Sequence, residues 1–273
     1  MKAIILGEKR TGSTFLQEVL RSHPDILSLD ELFMGRPGYG TDVSRHGTHL
    51  FSNKIIQELG WSIEPHHALK AAEEYINNIM SQSDNVIFRL MYPQINDWKN
   101  NYSTNFDLLD IMRRFEISVI HIYRRNYLRT VLSHYLKQSY IETIASGKII
   151  KCKLKPKDLY NDVIKYMRRH RKYKKQLRGM KVYDIAFEDI LGRVEGDGYI
   201  EFHGQFNIRR SHQKNYMDEE EGKKLCNWIG VKYVEMYTNL SKLSGDNIWD
   251  YMENVDEIKE LFKKKDLGYM CEL

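Results

Sequence analysis

The sequence predicts an α/β fold with a central parallel β-sheet flanked by helices, and three observations carry that reading. Residues 3–7 form a short, almost wholly apolar run ending at Gly7, the pattern of a strand buried on both faces. From Thr14 the period changes: Phe15, Leu16, Val19 and Leu20 recur at helical spacing, with Gln17, Glu18 and Arg21 opposite them. Three further β-type runs, at residues 85–91, 117–123 and 181–187, each follow a stretch of helical periodicity. Strands that alternate with helices imply parallel pairing through right-handed crossovers.

Taken in order, the first helix is predicted to end near Ser22-His23-Pro24, because proline disfavours helical geometry in the residue before it. Residues 36–53, rich in Gly, Ser, Thr and His, read as a long surface loop. Helical patterns follow at residues 68–80, 108–115 and 159–177, the last strongly basic. Residues 192–215 are polar and Gly-rich, with no clear period. Residues 255–265 form an amphipathic helix whose closing lysines suit a helix C-terminus. There is no internal repeat and no low-complexity segment.

A chain of 273 residues can bury a full core, and we expect a single domain over residues 1–273. The formal net charge of +5 suits an anionic ligand without requiring one. Nothing at the start resembles a secretory signal, since Glu8-Lys9-Arg10 interrupts the first apolar run. No apolar run reaches the length of a membrane span. The three cysteines, Cys152, Cys226 and Cys271, are far apart and lack metal-ligand spacing. These features point to a reduced, cytoplasmic compartment and to no metal cofactor.

The most informative stretch is Gly7-Glu8-Lys9-Arg10-Thr11-Gly12-Ser13-Thr14, between the first strand and the first helix. There, loop and helix N–H groups converge and the helix dipole favours an anion. Gly12 permits close approach of the backbone, while Ser13 and Thr14 add hydroxyl donors. The glycine spacing matches a nucleoside triphosphate loop, but Ser13 occupies the position of its lysine. That lysine reaches the β- and γ-phosphates, so its absence counts against a nucleotide kinase or NTPase. Arg10, within the loop, supplies the cation instead.

Arg10-Thr11-Gly12-Ser13-Thr14-Phe15-Leu16 resembles the 5′-phosphosulfate loop of the sulfotransferases that use 3′-phosphoadenosine-5′-phosphosulfate (PAPS), in the style of the bacterial carbohydrate enzymes. The family's second signature is a strand ending in Arg, with a Ser on the following helix about nine residues later. Residues 120–133 match it, with Arg124 and Ser133 at the expected positions for gripping the 3′-phosphate. Guanidinium and hydroxyl groups give directional, charge-assisted contacts to such a dianion. Arg125 and Arg129 read equally well as assistants or as solvated surface residues.

The resemblance also implies a general base in Ser28-Leu29-Asp30-Glu31-Leu32-Phe33, where Glu31 matches and Asp30 is the alternative. A lysine usual on the third strand is Arg89 here, in Arg89-Leu90-Met91-Tyr92-Pro93-Gln94, which keeps the charge but donates a proton less readily. Residues 183–190 resemble the family's late Tyr-Glu-Asp-Leu strand, and residues 250–257 its closing helix segment.

The implied activity is sulfuryl transfer from PAPS, leaving PAP, to a hydroxyl of a sugar or glycoconjugate, with no metal. Arg10, Thr11, Gly12, Ser13, Thr14, Phe15, Arg124 and Ser133 would hold the nucleotide, and Glu31, Arg10 and Arg89 would act in the transfer. Nucleotide-binding elements would lie mainly in 2–33 and 116–135, and acceptor-facing insertions in 34–80 and 137–157. The basic run at 165–178 invites a rival reading as a nucleic-acid-binding module. The favoured reading is a solvated helix with Tyr166, Met167 and Tyr173 facing the core and no nucleic-acid partner. His46, His49, His66 and His67 are expected to be loop residues rather than ligands.

Overall fold

The structure is a computed structural model that describes residues 1–33, 65–95, 107–146, 148–196, 200–203, 208–240 and 247–272. The expected loop at 36–53, and with it His46 and His49, lies outside the described residues, as do the side chains of His66 and His67.

Five strands form a sheet in the order β2-β3-β1-β4-β5: β1 (Lys2–Gly7), β2 (Leu27–Glu31), β3 (Val86–Met91), β4 (Ser118–Tyr123) and β5 (Val182–Ala186). Every adjacent pair is parallel. The predicted α/β class and parallel sheet are therefore observed. The central strand β1 is buried from Ala3 onward, which is why its sequence is apolar at consecutive positions rather than alternating.

Helices cover both faces of the sheet. Ile4, Leu6, Phe88, Leu90 and Val119 point to one side, where they meet α2 (Pro65–Met80) and α3 (Leu108–Arg114). Ala3, Ile5, Ile87, Ile120 and Ile185 point to the other, against α1 (Ser13–Arg21) and, further along the chain, the helix at Glu219–Ile229. Asp107 and Asp110 close a reciprocal capping box at the start of α3. As expected, α1 stops at Arg21, with Ser22 as its C-cap.

A third apolar cluster joins α4 (Tyr127–Tyr135), the first half of α6 (Pro156–Gln176) and the C-terminal helix α8 (Val255–Lys264). Between α4 and α6 runs α5 (Lys137–Ser146), and the helix at Glu219–Ile229 is α7. The basic helix α6 buries Leu159, Val163, Tyr166, His170 and Tyr173, with Met167 packed at the margin, so its aromatic side faces the core as the sequence suggested.

Most of the described residues in 192–215, a stretch that shows no period in the sequence, lie in a second sheet. There β6 (Leu191–Glu195), β7 (Ile200–His203), β8 (Ile208–Met217) and β9 (Tyr237–Leu240) pair antiparallel, all onto β8. Register shifts interrupt the β6–β8 and β8–β9 ladders. The described part of β6 is largely exposed, including Leu191 and Val194, so apolar-polar alternation is not imposed on it.

Polar side chains fix α6 to the sheet. His121 on β4 is wholly buried and its Nδ1–H donates to Asp184 Oδ1 at 2.7 Å, while its Nε2 shares a hydrogen bond with the Tyr92 hydroxyl. Lys174 of α6 reaches the other Asp184 oxygen at 3.2 Å. Tyr173 stacks on Tyr92 at 4.1 Å and donates its hydroxyl to the Tyr92 carbonyl at 2.9 Å.

The His121 hydrogen bond, aided by Lys174 and opposed by partial burial, holds the Asp184 carboxyl down at about 2, below its ordinary 3.8. A carboxyl depressed on folding stabilises the native state fully above its unfolded value and loses that contribution as the pH falls through its folded value. Asp184→Asn should therefore lower the urea midpoint most at pH 6, and the gap to the wild-type chain should close between about pH 4 and pH 2, the window set by those two values. A gap independent of pH would refute this assignment.

Candidate active site

The carboxyl ends of the central strands meet at one edge of the sheet, the place where open α/β sheets bind ligands. Gly7 ends β1 opposite Met91 of β3 and Ile122 of β4. A Cβ at position 7 would lie 2.7 Å from the Ile122 carbonyl oxygen, so the chain can leave the sheet here only as glycine.

The loop that follows is held from within and from behind. The Thr11 hydroxyl, almost fully buried, donates to the Glu8 carbonyl at 2.7 Å. Arg10 and Gly12 both adopt left-handed backbone conformations, with φ of 69° and 92°. Gly12 is the N-cap of α1, and Ser13 and Thr14 begin that helix. The Phe187 ring sits where a side chain at position 12 would be: a Cβ there would lie only 2.0 Å from the ring's Cδ2 atom. Phe15 meets the same ring edge-on, with centroids 5.9 Å apart. Behind the loop, the buried Glu8 carboxyl lies 2.9 Å from Arg169 Nε of α6. Burial raises the Glu8 carboxyl above its ordinary range, against the lowering effect of Arg169.

Arg124 follows β4 directly and extends over Phe187, its guanidinium carbon 4.3 Å from the ring centroid. Burial depresses it to about 10, against the opposing charge of Glu188, so it remains a cation at neutral pH. Its Nε is buried and has no hydrogen-bond partner among the described residues. Asn126 caps α4 by accepting from Arg129 N–H at 3.0 Å, and Ser133 lies further along that helix. Arg10 Nε donates to Ser133 Oγ at 3.2 Å, which joins the two halves of the motif. Arg125 points elsewhere, onto Asp189 at 2.7 Å.

The remaining pair lies at the end of β2. A register shift sets Glu31 opposite Arg89, with Leu29 opposite Phe88, and Asp30 is the extra residue. Arg89 Nη2 contacts Glu31 Oε1 at 3.0 Å, and its Nη1 donates to the Thr14 hydroxyl. Asp30 turns instead to α1, accepting from Gln17 Nε2 at 2.6 Å and Arg21 Nη2 at 3.3 Å. Burial opposes its charge, but Gln17, Arg21 and Arg89 outweigh burial and keep the Asp30 carboxyl below its ordinary range.

Two residues with no sequence-level role also enter this region: Phe187, and Gln94, whose Nε2 donates to Glu31 Oε2 at 3.0 Å. The cue for Gln94 was local. It stands three residues after Met91 and accepts that residue's N–H at 2.7 Å, as the third residue of a capped helical turn does. Among the described residues, no group of three or more His, Cys, Asp or Glu side chains is arranged to hold a metal ion. No described helix is long and apolar enough to cross a membrane.

The sequence pattern of the sulfotransferase family matches residues 3–197, which hold every element of this site. The chain belongs to the sulfotransferase family. Its members transfer a sulfuryl group from a donor to an acceptor, and the family match assigns that general reaction to this chain. Among solved structures, a sulfotransferase domain from the curacin biosynthetic pathway aligns with 90% of this chain and 78% of its own length, at 11% identity and a TM-score of 0.45. No curated protein matches the chain.

The contact between Gly12 and Phe187 makes a direct test. Gly12→Ala should destabilise the protein by about 1–3 kcal/mol, through positive φ and the ring clash. Adding Phe187→Ala should recover the clash part, so the double variant should be more stable than the sum of the two single losses in a melting cycle. Strict additivity would mean that the ring does not constrain the loop.

Proposed function

We propose that this sulfotransferase takes its sulfuryl group from PAPS and delivers it to an acceptor hydroxyl, with a carbohydrate as the favoured acceptor class. The observation that supports the donor is the half-buried Arg124 guanidinium, whose buried Nε has no partner among the described residues and which shares the Phe187 ring with Gly12 of the loop. A buried cation with an unused donor is costly unless an anion completes it. A nucleotide 3′-phosphate has the charge and the acceptor oxygens to do so.

In this reading PAPS supplies an activated sulfuryl group. The backbone and hydroxyls of residues Arg10, Thr11, Gly12, Ser13, Thr14 and Phe15 hold its 5′ end, and Arg124 with Ser133 holds its 3′-phosphate. Glu31 accepts the proton of the acceptor hydroxyl, help that is typically worth about a hundred- to ten-thousandfold in rate. Arg10 and Arg89 stabilise charge that builds on the transferring group and on the leaving phosphate. Arg89 serves as a fixed cation, since a guanidinium stays charged throughout the reaction.

The position of Glu31 favours it over Asp30 as the base. Glu31 shares its surroundings with Arg89 and Thr14, whereas the side chains that hydrogen-bond Asp30 among the described residues, Gln17 and Arg21, belong to the body of α1. The carbohydrate acceptor rests on the loop's similarity to carbohydrate enzymes, and we place the cytoplasm as its setting on the cysteine pattern.

Two substitutions separate the roles. With PAPS and a panel of sugar alcohols as acceptors, Glu31→Gln should lose at least a hundredfold in turnover while PAP affinity, measured by calorimetry, stays within about threefold. Arg124→Ala should weaken PAP binding at least tenfold and ADP binding far less. Equal losses for PAP and ADP would refute the 3′-phosphate assignment, and full turnover in Glu31→Gln would remove Glu31 as the base.

A further inference from the structure

Gln94 stands behind Glu31 in an arrangement that leaves its amide only one orientation. Its side chain is 7% exposed. Its Oε1 accepts the Met91 N–H at 2.7 Å, which assigns the carbonyl end to the backbone. The NH₂ end is thereby turned outward from the helical turn and donates to Glu31 Oε2 at 3.0 Å. A carboxylate can only accept at that contact, so both ends of the amide are matched to their partners.

Arg89 takes the other Glu31 oxygen, Oε1, at 3.0 Å and continues to the Thr14 hydroxyl. Thr14, Arg89, Glu31, Gln94 and the Met91 N–H thus form one connected chain, from the first turn of α1 to the exit of β3. A carboxylate gripped at both oxygens by side chains on a neighbouring strand and turn cannot rotate freely. Each oxygen keeps a further lone pair with which to accept a proton. Capping alone would need only the Gln94 carbonyl, and an amide serving that purpose has no reason to bury its NH₂ end against a charged group.

We propose that Gln94 is a positioning residue for the transfer reaction, holding Glu31 aimed through a neutral hydrogen bond while Arg89 supplies the charge. The proposal rests on the reading of Glu31 as the base. A neutral donor suits the position: a second cation would bind the carboxylate too strongly for it to take a proton, and a second carboxylate would compete for that proton.

The test uses the full chain carrying carboxyl-¹³C glutamate, with the Glu31 resonance identified by its absence in Glu31→Gln. Gln94→Glu keeps an acceptor for the Met91 N–H, so the turn stays capped, but replaces the donor to Glu31 with a carboxylate. The midpoint of the Glu31 titration should rise by roughly one pH unit or more in Gln94→Glu, and by a smaller amount in Gln94→Met, which removes the donor without adding charge. PAP affinity should stay within about threefold in both. Unchanged midpoints in both variants would overturn the proposal. So would a loss of PAP affinity tenfold or greater in both, which would place Gln94 in support of the nucleotide loop instead. The base reading fails separately: full turnover in Glu31→Gln would strip Gln94 of its catalytic meaning even if the midpoints moved.

Discussion

The bare backbone of Gly12 under the Phe187 ring is the contact on which the site depends. One ring closes the loop at Gly12, meets Phe15 on α1 and carries the Arg124 guanidinium on its face. The loop, the first helix and the cation after β4 are thereby set against a residue that follows β5. Because interiors pack densely, displacing that ring would disturb all three together. The parallel sheet supplies the rest, since it delivers Gly7, Glu31, Arg89 and Arg124 at or near the same edge.

Much of this was legible because the chemistry is dense and local. Glycine, hydroxyl and cationic residues crowd positions 7–14 between an apolar run and a helical period, and that placement needs no tertiary information. The spacing from Arg124 to Ser133 likewise spans one strand end and one helix. Which of Asp30 and Glu31 lies opposite Arg89 was not legible, because it turns on a register shift against β3. Gln94 carries a local cue in its bond to the Met91 N–H, but the contacts that bring Phe187 to Gly12 and Gln94 to Glu31 span more than sixty residues and were hidden. The second sheet escaped notice because its exposed edge strand and shifted ladders do not impose alternation.

The basic helix α6 shows how a charge run can mislead. Its cationic sequence invites a polyanion, yet its buried side is aromatic, and two of its charges are committed inward. Arg169 faces the Glu8 carboxyl behind the loop, and Lys174 faces Asp184 beside His121. The helix thus braces the strand ends from one face of the sheet while α1 packs on the other. In the proposed reading the anion lies at the loop beside Arg124, and the Thr14-Arg89-Glu31-Gln94 chain receives the acceptor's proton.

The most direct test of the account is a melting comparison of the wild-type chain with PAP, ADP and Mg-ATP at equal concentrations, since a ligand that binds only the folded state raises the midpoint. Strong stabilisation by PAP, with little from ADP or Mg-ATP, is the predicted result. Stabilisation by Mg-ATP without a response to PAP would contradict it, because a triphosphate would then occupy the loop and Arg124 would have no 3′-phosphate to hold.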